Sequence, residues 1–193
     1  MAGETSEYFN RIYEQNEDPW DYESSPYEAE KYQASLLSLP RDVYENAFEI
    51  GCSIGVFTAK LAPRCRHLLS VDQNSIALAR AKERCRRFSH VKFDLMSLPR
   101  EYPSGVFDLT ILSEVGYYLQ PVDLVNLSNQ ITGHAATLGH LLLVHWLPCL
   151  PDFPLRGDDV HESFLNRSEW NSLRAIRTEL YRIDVLERQH GLA

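Results

Sequence analysis

The sequence predicts an α/β fold: a doubly wound, mostly parallel sheet of six or seven strands with helices on both faces. Three observations predict it. From Val43 onward, short apolar runs alternate with helical patterns, the signature of consecutive βα units. The first of these runs, Tyr44 to Ile50, passes directly into a loop bracketed by Gly51 and Gly55. A chain of 193 residues, 44% hydrophobic and 24% charged, has the length and composition of one ordinary core.

The elements follow in order. The first 40 residues differ in character and read as an N-terminal helical cap or lid on a single globular unit whose sheet domain spans 41–193. Asp18-Pro19-Trp20-Asp21-Tyr22 reads as a loop. Ser25 and Pro26 then mark a helix start, with serine as the cap and proline at the first helical position, and Pro40 stops that helix after Leu39. Strands are expected at Tyr44–Ile50, His67–Val71, His90–Phe93, Phe107–Ser113 and His140–Trp146. Helices are expected at Gly55–Ala62, Ser75–Arg86 and Pro121–Ala136. After a long loop, a helix near Ser168–Arg177 leads to a last strand, Leu180–Leu186.

Bulk properties exclude several classes. A net charge of −8 argues against nucleic acid as a partner, because phosphates need a positive surface. The basic cluster Arg80, Lys82, Arg84, Arg86 and Arg87 reads as a solvated helix face. No apolar run approaches the ~18 residues that span a bilayer. The acidic start, Met-Ala-Gly-Glu-Thr-Ser-Glu, does not resemble a secretory signal, so a cytoplasmic location is expected. Cys52, Cys65, Cys85 and Cys149 share no metal-like spacing and are expected to be reduced.

In doubly wound sheets, ligands bind at the carboxyl ends of the strands, near the point where strand order reverses. The loop after the first strand is therefore the place to look. A dinucleotide fold would want glycines at 51, 53 and 56, whereas the chain has Gly51, Ser53 and Val56. Glu49 before the first glycine suits a cationic amino-acid ligand better than a pyrophosphate. S-adenosylmethionine, with a sulfonium, an ammonium and no phosphate, meets that requirement. Asp72 closes the second strand, where an acid can accept from ribose hydroxyls. Asp94, expected to close the third, can accept from an adenine amino group.

With these residues assembled, the chain resembles the class I S-adenosylmethionine methyltransferases, with their Rossmann-like sheet, over nearly its whole length. More narrowly it resembles the family around the nodulation methyltransferase NodS. The stretches that carry the resemblance are Asp18-Pro19-Trp20, Pro26 through Tyr32, Glu49-Ile50-Gly51-Cys52, Leu61-Ala62-Pro63, Ser113-Glu114-Val115 with Tyr117-Tyr118-Leu119, and Gly139-His140-Leu141. The resemblance implies N-methylation of an amino sugar or saccharide-linked amine. It implies that Gly51, Cys52 and Gly55 line the methionine part of the cofactor, that Asp72 and Gln73 face ribose and adenine, and that Asp94 and Leu95 frame the adenine. Ser113 and Glu114 would flank the sulfur, Lys31 would pair the cofactor carboxylate, and Trp20 and Tyr27 would close over it. Two departures stand out: Ser53 replaces a usual glycine, and the chain ends too soon after the sixth strand for the usual final hairpin unless the last assignments are shifted.

An amine acceptor must lose a proton, which calls for a nearby carboxylate, histidine or tyrosine. Glu114, Tyr117 and His145 are the catalytic candidates, with Tyr118, Asp159 and His161 on the substrate side. Each has a plainer reading. The tyrosines can be half-buried aromatics, His145 a core histidine, and Asp158 through Glu162 a helix start with acids in its first turn. No complete metal ligand set is evident, so no metal is expected. The expected partner is a small molecule, a saccharide among the candidates, with no nucleic acid and no membrane. The competing functions are O-methylation of a saccharide or secondary metabolite, a catalytically silent cofactor-binding module, and, more distantly, a dehydrogenase.

Overall fold

The computed structural model describes residues 2–148 and 153–190. Its strands are β1 (Tyr44–Ile50), β2 (Cys65–Asp72), β3 (Val91–Leu95), β4 (Phe107–Ser113), β5 (Ala135–Trp146), β6 (Trp170–Arg177) and β7 (Tyr181–Arg188). The helices are α1 (Ala2–Gln15), α2 (Pro26–Ser38), α3 (Val56–Leu61), α4 (Ser75–Arg84), α5 (Pro121–His134) and α6 (Gly157–Leu165). One seven-stranded sheet runs β3-β2-β1-β4-β5-β7-β6. The first five strands pair in parallel, and β7 runs antiparallel to both β5 and β6.

Both faces of the sheet are covered, and β5 shows why its sequence is a continuous apolar run rather than an alternation. Leu142 and Val144 point to one core with Leu61, Leu109 and Ile183. Leu141 and Leu143 point to the other with Leu127, Ile131 and Phe164. The start of α2 is as the sequence predicts: Ser25 caps it through the Glu28 N–H, and Pro26 takes the first turn.

Several expectations are corrected. Ser168–Arg177 is not a helix; Trp170–Arg177 is the edge strand β6. Only Trp170 of that strand is buried, so backbone pairing with β7 holds it and no period-two burial pattern marks it in the sequence. The final hairpin is therefore present, with β7 inserted as the seventh strand. The segment read as a long loop contains α6, whose Val160, His161 and Phe164 are buried at helical spacing. Asp158 and Asp159 lie in its first turn, so the helix-start reading is the one the structure supports. The third strand continues through Leu95 rather than ending before Asp94. Cys52, Cys65 and Cys85 are free and buried, while Cys149 lies outside the described residues.

The sequence reading also missed α1, although Phe9, Ile12 and Tyr13 have helical spacing. The basic cluster explains how α1 is held. Arg80 of α4 donates to the carbonyls of Tyr13, Asn16 and Glu17 at 2.8, 3.0 and 3.1 Å, satisfying the C-terminal end of α1. Arg84 donates to the Ile54 carbonyl at 2.8 Å and pairs with Glu23. Two of the five basic residues thus fasten the N-terminal segment rather than face solvent.

Candidate active site

A cleft of about 1090 Å³, open mouth included, lies at the carboxyl ends of β1 and β4. These adjacent strands send their connections to opposite flanks of the sheet, which leaves a crevice between them. Gly51, Ser53, Asp72, Gln73, Ser113 and Glu114 form its floor and one wall. Phe9, Tyr13, Trp20, Tyr22 and Tyr118 form an aromatic wall from the N-terminal segment and the loop after β4. A smaller chamber opens beside it past Gly51, Cys52 and Ser53 toward Glu49.

The glycine loop has a steric reason. Gly51 has φ +76°, and a Cβ there would lie 2.1 Å from Val115 Cγ2. Gly55 has φ +78°, and a Cβ there would lie 2.9 Å from the Ala81 Cα. Ser53 takes φ 49° without being glycine, a left-handed conformation that costs an L-residue about 1–2 kcal/mol. Two hydrogen bonds offset this. The Ser53 N–H donates to Asp72 Oδ2 at 2.8 Å, and the Ser53 hydroxyl meets the Tyr13 hydroxyl at 2.5 Å. The serine that departs from the expected glycine therefore links the loop to α1. Asp72 accepts from the Asn74 N–H as well, at 2.8 Å, so one carboxylate fixes both the glycine loop and the turn after β2.

Glu49 is buried beneath the loop, where its Oε2 accepts from the Ser70 and Thr58 hydroxyls at 2.6 and 2.7 Å. Burial pushes its carboxyl up to about 7, against the pull of those two hydroxyls. Because the folded-state value lies above the unfolded one, Glu49 favours the folded state most at pH below about 4.5, and this contribution is lost as pH rises to about 7. Thermal unfolding of Glu49→Gln across pH 4.5–7 is expected to show a shallower decline than the parent. Parallel curves for the two proteins would mean that Glu49 ionises normally.

Glu114 stands at φ 57° directly after β4, with both carboxylate oxygens engaged. Oε1 accepts from Lys31 Nζ at 2.7 Å; Oε2 accepts from the Tyr117 hydroxyl at 2.5 Å and the Trp146 N–H at 3.1 Å. Lys31, 2% exposed, also pairs with Glu28 at 2.9 Å. Burial alone would lower the Lys31 ammonium, but the carboxylates of Glu114 and Glu28 more than reverse it and the net shift is upward. Burial and the neighbouring Glu114 raise the Tyr117 phenol well above its ordinary value, so it is held as a donor.

The structure brings together only part of the predicted set. Trp20, Gly51, Asp72, Gln73, Ser113, Glu114 and Tyr118 all line the main cleft; Glu49 and Cys52 border the smaller chamber. Burial pushes the Cys52 thiol well up, which suits a wall residue and not a nucleophile. Gly55 sits one turn back, capping α3 in a left-handed conformation. Lys31 and Tyr117 lie behind Glu114. Tyr27 packs against Tyr181 with Lys31 Nζ 4.9 Å from its ring centre, away from the lining.

Five residues are placed elsewhere. Asp94 and Leu95 are exposed within β3, and the wall expected from them comes from Met96, Ser97 and Leu98 just beyond the strand end. His145 is fully buried behind Gly116, its Nε2 accepting from that N–H at 3.3 Å. His161 is fully buried next to His145. Asp159 is exposed and accepts from the Arg156 N–H at 2.8 Å, as a first-turn acid of α6 does. The cleft residues missed by the sequence reading include Phe9, Tyr13, Tyr22, Met96–Arg100 and Asp123. The helical spacing in α1 could have found the first two; the loop after β3 carries no such signal.

Comparison with known proteins agrees with this geometry. The family model for nodulation protein S (NodS) matches residues 5–136, more than half of the chain. Nodulation protein S of Sinorhizobium fredii (strain NBRC 101917 / NGR234) is 34% identical over 128 residues, covering 65% of this chain and 59% of that protein. Nodulation protein S of Rhizobium tropici is 36% identical over 104 residues, covering 53% and 44%. The chain thus matches about half the length of these curated relatives. The crystal structure of N-methyltransferase NodS from Bradyrhizobium japonicum WM9, in complex with S-adenosyl-L-homocysteine, superposes with a TM-score of 0.86 at 25% identity, over 96% of this chain and 99% of that one. The match from α1 through α5, together with a superposition over 96% of the chain, shows that the chain belongs to the nodulation protein S family and has its Rossmann-like methyltransferase fold.

Proposed function

We propose that this chain is an S-adenosylmethionine-dependent methyltransferase whose acceptor is an amine on a small molecule, an amino sugar or saccharide-linked amine before others. The observation that carries the reading is the charge of the cleft. Asp72, Glu114 and Asp123 line it, and Arg100 is the sole Lys or Arg among the described lining residues. Such a site suits a sulfonium and an ammonium and disfavours a pyrophosphate. Gly51 supports the reading as part of the scaffold: its φ of +76° and the Val115 side chain packed against it fix the shape of the loop that lines the cleft. The family, and a relative named as an N-methyltransferase, support the same activity.

When bound, S-adenosylmethionine supplies an activated methyl group for in-line displacement. The chain's own residues provide alignment and desolvation. Gly51 and Ser113 shape the methionine end of the cleft, and Asp72 with Gln73 presents acceptors for ribose. Trp20, Tyr13 and Tyr22 exclude water from above as a lid. Glu114 faces the acceptor end. Its Oε1 already accepts from Lys31 but retains a lone pair for an amine N–H, so it can orient the acceptor and receive its proton.

Calorimetry with S-adenosylmethionine, S-adenosylhomocysteine and NAD tests the cofactor. Binding of both sulfur compounds without NAD is the expected result; tight NAD binding with no response to either would overturn it. Methyl-labelled cofactor with deacetylated oligosaccharides, free amino sugars and their N-acetylated counterparts tests the acceptor. Label is expected only on the free amines. Equal labelling of the N-acetylated compounds would point to a hydroxyl instead.

A further inference from the structure

Outside the cleft, three buried side chains form one run of hydrogen bonds. His145 Nε2 accepts from the Gly116 N–H at 3.3 Å, and His145 Nδ1 lies 3.1 Å from His161 Nε2. His161 Nδ1 lies 2.5 Å from Asp184 Oδ2, which also accepts from Arg182 Nε at 2.7 Å. Both histidines are 0% exposed and Asp184 is 1% exposed. Burial keeps both imidazoles neutral, lowering each below its ordinary value even though Asp184 pulls His161 the other way.

The first link determines the rest. A nitrogen that accepts from a backbone N–H carries no proton, so the proton of neutral His145 is on Nδ1 and is donated to His161 Nε2. His161 then carries its own proton on Nδ1 and donates it to the Asp184 carboxylate. Every link has one direction, and the run ends at the backbone of Gly116. The contact there is tight: a Cβ on Gly116 would lie 2.5 Å from Val160 Cγ1 and 3.2 Å from His145 Nε2. Strand β5, helix α6 and strand β7 each contribute one member, so three elements converge on one peptide group.

Stability is a poor explanation for such a run. Buried polar groups can often be exchanged for apolar ones at no loss, and Asp184 Oδ1 is left without a partner. What the run provides is position. Glu114 lies two residues before Gly116 and Tyr118 two residues after it, and both line the cleft.

We infer that His145, His161 and Asp184 are positioning residues that lock the Glu114–Tyr118 segment at the acceptor end of the cleft, acting through the bond from Gly116 N–H to His145 Nε2. The methyltransferase reading is needed only for what the locked segment serves. Two variants separate position from packing. In His145→Gln the side-chain carbonyl can reach the place of Nε2 and still accept from Gly116. In His145→Asn the amide ends near the place of Nδ1, reaching His161 but not Gly116.

Amide hydrogen exchange is measured on the full chain, alongside calorimetry with S-adenosylhomocysteine. His145→Asn is expected to lose roughly tenfold of the protection at residues 116–118, about the worth of one hydrogen bond, with cofactor-product affinity changed less than about threefold. His145→Gln is expected to restore that protection. Equal loss in both variants, or loss spread evenly over β4 and β5, overturns the inference. So does an imidazole nitrogen spectrum of the parent protein that shows a proton on His145 Nε2, a measurement that needs no variant to fold. Failure of the parent to bind S-adenosylhomocysteine would reject the methyltransferase reading and leave the exchange result standing.

Discussion

Asp72→Ala is expected to weaken S-adenosylhomocysteine binding by roughly 100-fold or more, equivalent to about 2.7 kcal/mol. The carboxylate sits on the cleft wall at the end of β2, where the proposed reading has it accept from ribose hydroxyls. Its second duty makes the loss larger. Asp72 accepts the N–H groups of Ser53 and Asn74, so alanine frees both the glycine loop and the cap of α4. Hydrogen bonds to a charged group contribute about 1.5–3 kcal/mol each, so a drop in the thermal midpoint should accompany the loss of affinity. Asn at this position should restore only part of the affinity, because its amide must turn a donor toward one of the two N–H groups. Calorimetry on the parent and both variants reads the effect. Undiminished affinity in Asp72→Ala would remove Asp72 from the cofactor site.

Glu114→Gln should act on turnover instead. Glu114 has donors on both oxygens, from Lys31, Tyr117 and Trp146. An amide cannot accept at both ends, so one donor loses its partner and the acceptor amine faces a group that cannot take its proton. Turnover is expected to fall roughly 100-fold, within the range for loss of a general base. Cofactor affinity should change less than about threefold, since Asp72 and Gly51 are untouched. The Lys31 ammonium would keep only Glu28, and breaking one partner of a buried pair is strongly destabilising. The double variant Glu114→Gln/Lys31→Met removes that ion and should recover stability while turnover stays low. Equal loss of affinity and turnover in the single variant would make Glu114 a cofactor-binding residue and not part of the chemistry. Recovery of turnover in the double variant would also argue against a role as base.

The two residues differ in how far the sequence could take them. Asp72 announces itself by ending a strand after a glycine loop, and its partners Asn74 and Ser53 lie only two and 19 positions away. Glu114 is legible as the residue after β4, but its environment is not, because Lys31 lies 83 positions away. His145 and His161 show the opposite outcome. Both carry the chemistry expected of a base or ligand, yet the fold buries them behind Gly116 and Val160. Asp94 lies within β3, which continues to Leu95, and its side chain is exposed outside the cleft.

Local rules account for what the sequence determined by itself. The βα alternation, the Ser25-Pro26 helix start, the glycine loop and the strand-ending acid depend on periodicity, dihedral preference and turn chemistry, all acting within a few residues. Tertiary structure alone decided the antiparallel insertion of β7, the exposed edge strand β6, the anchoring of α1 by Arg80, and the bond from Ser53 to Tyr13. Each is a contact between segments distant along the chain, and β6 in particular is held by backbone pairing that leaves almost no hydrophobic trace. The same reason sorts the candidate bases. Residue type marks Glu114, His145 and His161 alike, whereas packing leaves only Glu114 facing the cleft.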